Sequence, residues 1–162
     1  MIRLTEFILM RLASLIIPLA LWAGIACADQ HEVLTLSHAG ESRTLGLEEI
    51  ERTEMHELEL QHPEGPSGRF AGVWLNDFLA AHRLDEARRV RFIAHDDYTT
   101  FLTPAERRQK DYLLLTRLDG EPIPRRELGP LMLVVPDDLD AVQSGIEPMT
   151  RWIWAIREIS AR

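Results

Sequence analysis

Polar and apolar residues alternate along Glu32-Val33-Leu34-Thr35-Leu36-Ser37, the period of a half-buried strand, and His38-Ala39-Gly40-Glu41-Ser42 then supplies turn chemistry for a hairpin. Over residues 44–51, Leu47 and Ile50 stand three apart behind Thr44, with acids in the first turn. That spacing predicts a short helix opened by Thr44. Residues 55–60 alternate again and read as a strand. The run His62-Pro63-Glu64-Gly65-Pro66-Ser67-Gly68 reads as a loop, because two prolines and two glycines continue neither regular structure. Residues 74–82 predict a helix that buries Leu75, Phe78 and Leu79, with Asn76 or Asp77 near its cap. Residues 89–94 form a strand with basic residues turned outward, followed by a turn at Asp96-Asp97 and a returning strand to Leu102. Thr103-Pro104-Ala105-Glu106 carries the signature of a capped helical turn with proline in its first position. Residues 112–116 and 131–135 are apolar strands, separated by a tight turn at Asp119-Gly120, and the second is closed by Pro136. Residues 151–159 fit a strand better than a helix, which places Trp152 and Trp154 on one face.

The N-terminus alters this picture. Arg3 and Arg11 precede an apolar stretch over residues 12–26, interrupted by Ser14, Pro18 and Gly24, and Ala26-Cys27-Ala28 offers the small residues of a cleavage site. The expectation is a signal peptide over residues 1–28 and an exported chain, periplasmic or secreted, of one domain over residues 29–162. Acylation of Cys27 as a lipoprotein is the alternative, and a retained membrane anchor is a third reading of a run short for a bilayer span. Cys27 is the only cysteine, so no intramolecular disulfide is possible and burial alone must stabilise the fold. Removing residues 1–28 takes away two arginines and one glutamate, which moves the formal charge from −8 to −9. So acidic a chain, with no basic stripe, is not expected to bind nucleic acid, nor to be an integral membrane protein once cleaved.

Phe70-Ala71-Gly72-Val73-Trp74-Leu75, Ala94-His95-Asp96-Asp97-Tyr98, Gly129-Pro130-Leu131-Met132-Leu133-Val134-Val135-Pro136 and Trp152-Ile153-Trp154 follow in an order that resembles the oxidoreductase molybdopterin-binding domain of the sulfite oxidase type, over roughly residues 45–160. The resemblance implies an α+β fold with a mixed β-sheet core and short helices. It also implies a molybdenum held by a cysteine thiolate, a soft charged ligand. Here the chain departs. Where the cofactor-binding relatives have a strand leading into that cysteine, this sequence has Glu59-Leu60-Gln61-His62-Pro63. Met132 stands where they usually carry an arginine suited to an anionic phosphate, and Asp97 replaces the glycine of an Asp-Gly-Tyr turn. The chain is also shorter than the domains that enclose the cofactor. The expectation is a scaffold without molybdopterin and without catalytic residues. It would bind a small ligand or a membrane sensor partner through a cleft that includes His62, Asp96 and Tyr98. A molybdopterin-dependent oxidoreductase with atypical ligation, for instance by His62, is the alternative.

Other constellations read more simply as structure. His95, Asp96 and Asp97 are adjacent, so at most two can converge, and a polar turn accounts for them. His56 and His62 sit around one strand at an even spacing that could place both on one face, yet the sequence names no third or fourth zinc ligand. Trp74, Trp152 and Trp154 fill a core more readily than they all line a pocket. Arg125-Arg126 and Glu106-Arg107-Arg108 read as solvated charges. If cleavage follows Ala28, the new terminus Asp29-Gln30-His31 offers a free amine and a third-position histidine, a square-planar nitrogen set suited to Cu(II) or Ni(II).

Overall fold

A computed structural model describes residues 32–162. The segments read as a signal peptide, as the Cys27 acylation site and as the metal site Asp29, Gln30 and His31 lie outside the described residues. The fold is α+β. Its strands are β1 (Glu32–His38), β2 (Glu41–Gly46), β3 (Met55–Gln61), β4 (Ser67–Trp74), β5 (Val90–Ala94), β6 (Thr99–Leu102), β7 (Leu113–Leu118), β8 (Glu121–Pro122), β9 (Met132–Val134) and β10 (Ile156–Ala161). Its helices are short: α1 (Leu47–Ile50), α2 (Leu75–Ala81), α3 (Pro104–Gln109) and α4 (Leu139–Gln143). Among the described residues no helix is long and apolar enough to cross a membrane.

Two sheets carry the fold. The first runs β2-β1-β10-β5-β6 and is mixed, since β1 lies parallel to β10 while its other pairs are antiparallel. The second runs β3-β4-β7-β8, and β9 also pairs with β7. Within it β7 and β9 are buried on both faces, which explains why they read as continuous apolar runs, whereas β3 and β8 are edge strands with exposed residues. Leu114 and Leu133 point into a core shared with β1, β5, β10 and α2. Leu113, Leu115, Met132 and Val134 point the other way, into a second core with Phe70, Val142 and Trp152.

Local signals placed several elements correctly. The capping box at α3 is complete: the Glu106 N–H donates to Thr103 Oγ1 at 3.3 Å, and the Glu106 carboxylate accepts from the Thr103 N–H at 2.8 Å. Thr103→Ala is expected to cost ~1 kcal/mol, measured as a shift in the urea midpoint at unchanged slope.

Elsewhere tertiary pairing overrides the local reading. The helix expected from Thr44 begins only at Leu47, because Thr44 and Leu45 pair with Thr35 and Leu34 in the sheet and Leu45 is fully buried. Neither Asn76 nor Asp77 caps α2. Its N-cap is Trp74, and Asn76 instead donates from Nδ2 to the Arg107 carbonyl at 3.1 Å. Ser67 and Gly68 leave the expected loop to open β4. The strand expected over residues 151–159 is broken: a 3-10 turn at Met149–Arg151, a single bridge from Ile153 to Leu133, and a left-handed Ala155 (φ 53°) precede β10. Arg107 is not a solvated charge. It is 5% exposed, and its guanidinium donates to the carbonyls of Asp85 (3.2 Å) and Ala87 (2.9 Å), tying α3 to the loop after α2.

Candidate functional site

The turn between β5 and β6 is built by Asp96 and Asp97. Asp97 lies in the left-handed region at φ 66°, the conformation a glycine takes most easily, and aspartate tolerates it better than most residues. Its N–H donates to the Ala94 carbonyl at 3.2 Å, and Asp96 Oδ1 accepts from the Tyr98 N–H at 3.0 Å. Arg157 on β10 clamps the turn, donating to Asp97 Oδ1 at 2.6 Å and to the Ala94 carbonyl at 3.0 Å. With Asp97 held outward by this pair, Asp96 and Tyr98 face an adjacent cleft.

The opposite wall comes from the chain after the Met149–Arg151 turn, where the bridge to Leu133 pins Ile153 and the reversal at Ala155 ends the segment. Together Ala94, Asp96, Tyr98, Met149, Trp152, Ile153 and Trp154 line a cleft of about 260 Å³. Trp152 and Trp154 therefore share a wall. Trp74 lies elsewhere, in a surface depression with Asn76, Asp77, Asp111 and Tyr112.

His62 is not among the cleft-lining residues. It is 3% exposed, with its ring centroid 5.6 Å from that of Trp152 and 5.3 Å from that of Trp154, the latter edge-on. Nδ1 accepts from the Glu64 N–H at 3.1 Å, which assigns the ring proton of the neutral form to Nε2. That Nε2 and the indole Nε1 of Trp152 are both buried without a hydrogen-bond partner among the described residues. Burial pushes the His62 pKa below the ordinary value of 6.5, opposed by the nearby Glu64 carboxylate.

That depression has a stability consequence. Between the ordinary value and the lower folded value, the unfolded chain binds a proton that the folded chain does not. Stability contributed by neutral His62 is thus complete above pH 6.5 and is lost as pH falls through that window. His82, half-buried, is lowered chiefly by burial as well and adds to the same slope. Urea midpoints measured from pH 7.5 to 5 are expected to fall, and His62→Gln is expected to flatten part of that fall.

The remaining histidine readings resolve into structure. His56 packs at a tilt against Trp74 with centroids 5.2 Å apart, so His56 and His62 face different aromatic neighbours and do not converge. Among the described residues no group of three or more histidine, cysteine, aspartate or glutamate side chains is placed to hold a metal ion.

The donor set can be compared with the cofactor that the resemblance implies. Residues 32–162 contain no thiol. Met132 is buried on β9 and packs into the second core, so the position that would carry a phosphate-binding arginine supplies no charge. The cleft is lined by an acid and aromatic or apolar residues, and no lysine or arginine is among them. An anionic pterin with its metal does not fit these residues, since it needs cationic donors and a soft anionic ligand.

No curated protein matches the chain. The family model described as the oxidoreductase molybdopterin binding domain matches residues 22–143, a range that takes in His62, Asp96 and Tyr98 and ends before Trp152. With the match covering most of the chain, and the two-sheet α+β fold in agreement, the protein belongs to the oxidoreductase molybdopterin-binding domain family.

Proposed function

We propose that this is a non-catalytic, exported member of the family that binds a small ligand, rather than a membrane sensor partner, in the cleft of Asp96, Tyr98, Trp152 and Trp154. The observation that carries the reading is the character of that cleft. It is concave, walled by aromatic side chains with one carboxylate, and has neither a thiolate nor a cation in its lining. Export is supported by the charge and apolar pattern of residues 1–28.

A second reading has one observation in its favour. His62 directly follows β3, where cofactor-binding relatives have a strand leading into the metal cysteine, and its Nε2 is buried without a partner among the described residues. Ligation through Nε2 would require that nitrogen to give up its proton to Nδ1, which would cost the hydrogen bond from the Glu64 N–H. A neutral imidazole is also a poor replacement for a thiolate at a molybdenum site.

Reconstitution separates the two. Purified protein is mixed with molybdopterin released from a molybdenum enzyme, with molybdate present, and then desalted; the retained pterin is read by its fluorescence after oxidation. The expected result is no retention above that of an unrelated acidic protein. Stoichiometric retention that is abolished in His62→Ala would overturn the non-catalytic reading in favour of the oxidoreductase.

A further inference from the structure

The class of ligand can be read from the charge and shape of the cleft, an inference that rests on the reading of the cleft as a ligand site. Asp96 is its only charged lining residue. The Asp96 carboxylate accepts one hydrogen bond, from the Tyr98 N–H, and forms no ion pair among the described residues. Arg157, which clamps the turn, is already engaged by Asp97 at 2.6 Å, on the residue that points away. His62, against the two tryptophan rings, is kept neutral by burial, so it adds no positive charge near the indoles.

Aromatic side chains beside an unpaired carboxylate are the set that attracts a poorly hydrated cation: the π faces carry negative charge density, and methyl groups on the ligand bury against them. An anion would instead meet Asp96 with no compensating cation in the lining. The volume of about 260 Å³ is smaller than the ~300 Å³ at which pockets for drug-sized molecules begin, so the occupant is small. We propose that the cleft binds a small alkylated ammonium cation, with Asp96 opposite the charge and Tyr98, Trp152 and Trp154 around the alkyl groups.

The test compares choline with its uncharged carbon isostere, 3,3-dimethylbutan-1-ol, by calorimetric titration and tryptophan fluorescence on the same preparation. Choline is expected to bind saturably and the isostere at least tenfold more weakly. Asp96→Asn, which keeps a side-chain oxygen for the Tyr98 N–H and so preserves the turn, is expected to weaken choline by about five- to tenfold in low salt. Trp154→Ala is expected to weaken it more. Because Trp154 is only partly buried, that variant should remain folded. Equal binding of choline and the isostere would overturn the cation class while leaving the cleft as a ligand site. No saturable binding of either would also overturn it, and the pterin reconstitution then judges the non-catalytic reading separately. Choline affinity unchanged in Asp96→Asn would likewise refute the role given to the carboxylate.

Discussion

Gly72→Ala is expected to destabilise the domain by about 3 kcal/mol or more, enough to consume a large part of the stability of a domain this size. Gly72 lies on β4, between β3 and β7, and pairs with His56 on one side and Leu115 on the other. A Cβ there would stand 2.1 Å from the Leu114 carbonyl oxygen and 2.7 Å from Leu115 Cα. Both neighbours are backbone atoms of β7, which is itself held from the far side by β9. No side-chain rotation relieves the clash, so strands must separate at the register shift between Ala71 and Gly72. The expected measurement is a fall of ~1–2 M in the urea midpoint, or failure to recover folded protein. Gly40→Ala provides the contrast. Its Cβ meets nothing within 4 Å, and only its left-handed backbone (φ 88°) opposes the change, at about 1 kcal/mol.

Trp152→Ala is expected to cost about 3–5 kcal/mol, the range for truncating a buried aromatic. Trp152 is 3% exposed and packs with Leu60, Phe70 and Leu115 in the second core, while also walling the cleft. Its loss would open a void beside His62 as well as remove part of the cleft wall. Trp152→Phe separates the two contributions. It keeps most of the buried surface and removes the unpaired indole N–H, so its cost is expected to stay near 1 kcal/mol. A Trp152→Ala variant that unfolds at the wild-type urea midpoint would show that the ring is not part of the core.

The elements that local chemistry defines were legible in the sequence. Thr103 and Glu106 sit three apart before a proline-started turn, and the capping box forms as that spacing requires. The alternation in β1 and β3 survives because in each one face is more buried than the other. What was not legible depends on distant partners. Phe70-Ala71-Gly72-Val73 is buried on both faces of β4, so no alternation marks it as a strand. Arg107 reads as a surface charge until the Asp85 and Ala87 carbonyls, some twenty residues earlier, are brought to it.

The candidate site divides in the same way. Asp96 and Tyr98 reach the cleft together because only four residues, His95 to Tyr98, join β5 to β6, and the left-handed Asp97 is foreshadowed by its place in a turn that elsewhere carries glycine. His62 stands behind the tryptophans rather than in the lining, a placement fixed by packing between the two sheets' loops. Trp152 and Trp154 share the cleft wall although their segment is not a regular strand. The Leu133–Ile153 bridge and the reversal at Ala155 impose that arrangement, and only the Trp-x-Trp spacing hinted at it.

The central claim is that this member of a molybdopterin-binding family works without the cofactor. Native mass spectrometry of the protein recovered from the envelope of its own host tests this most directly, because one spectrum reports the processed terminus together with any lipid, metal or pterin carried by the folded chain. The expected result is a chain beginning at Asp29, with no pterin and no molybdenum. A species heavier by one molybdenum and one pterin per chain would contradict the account.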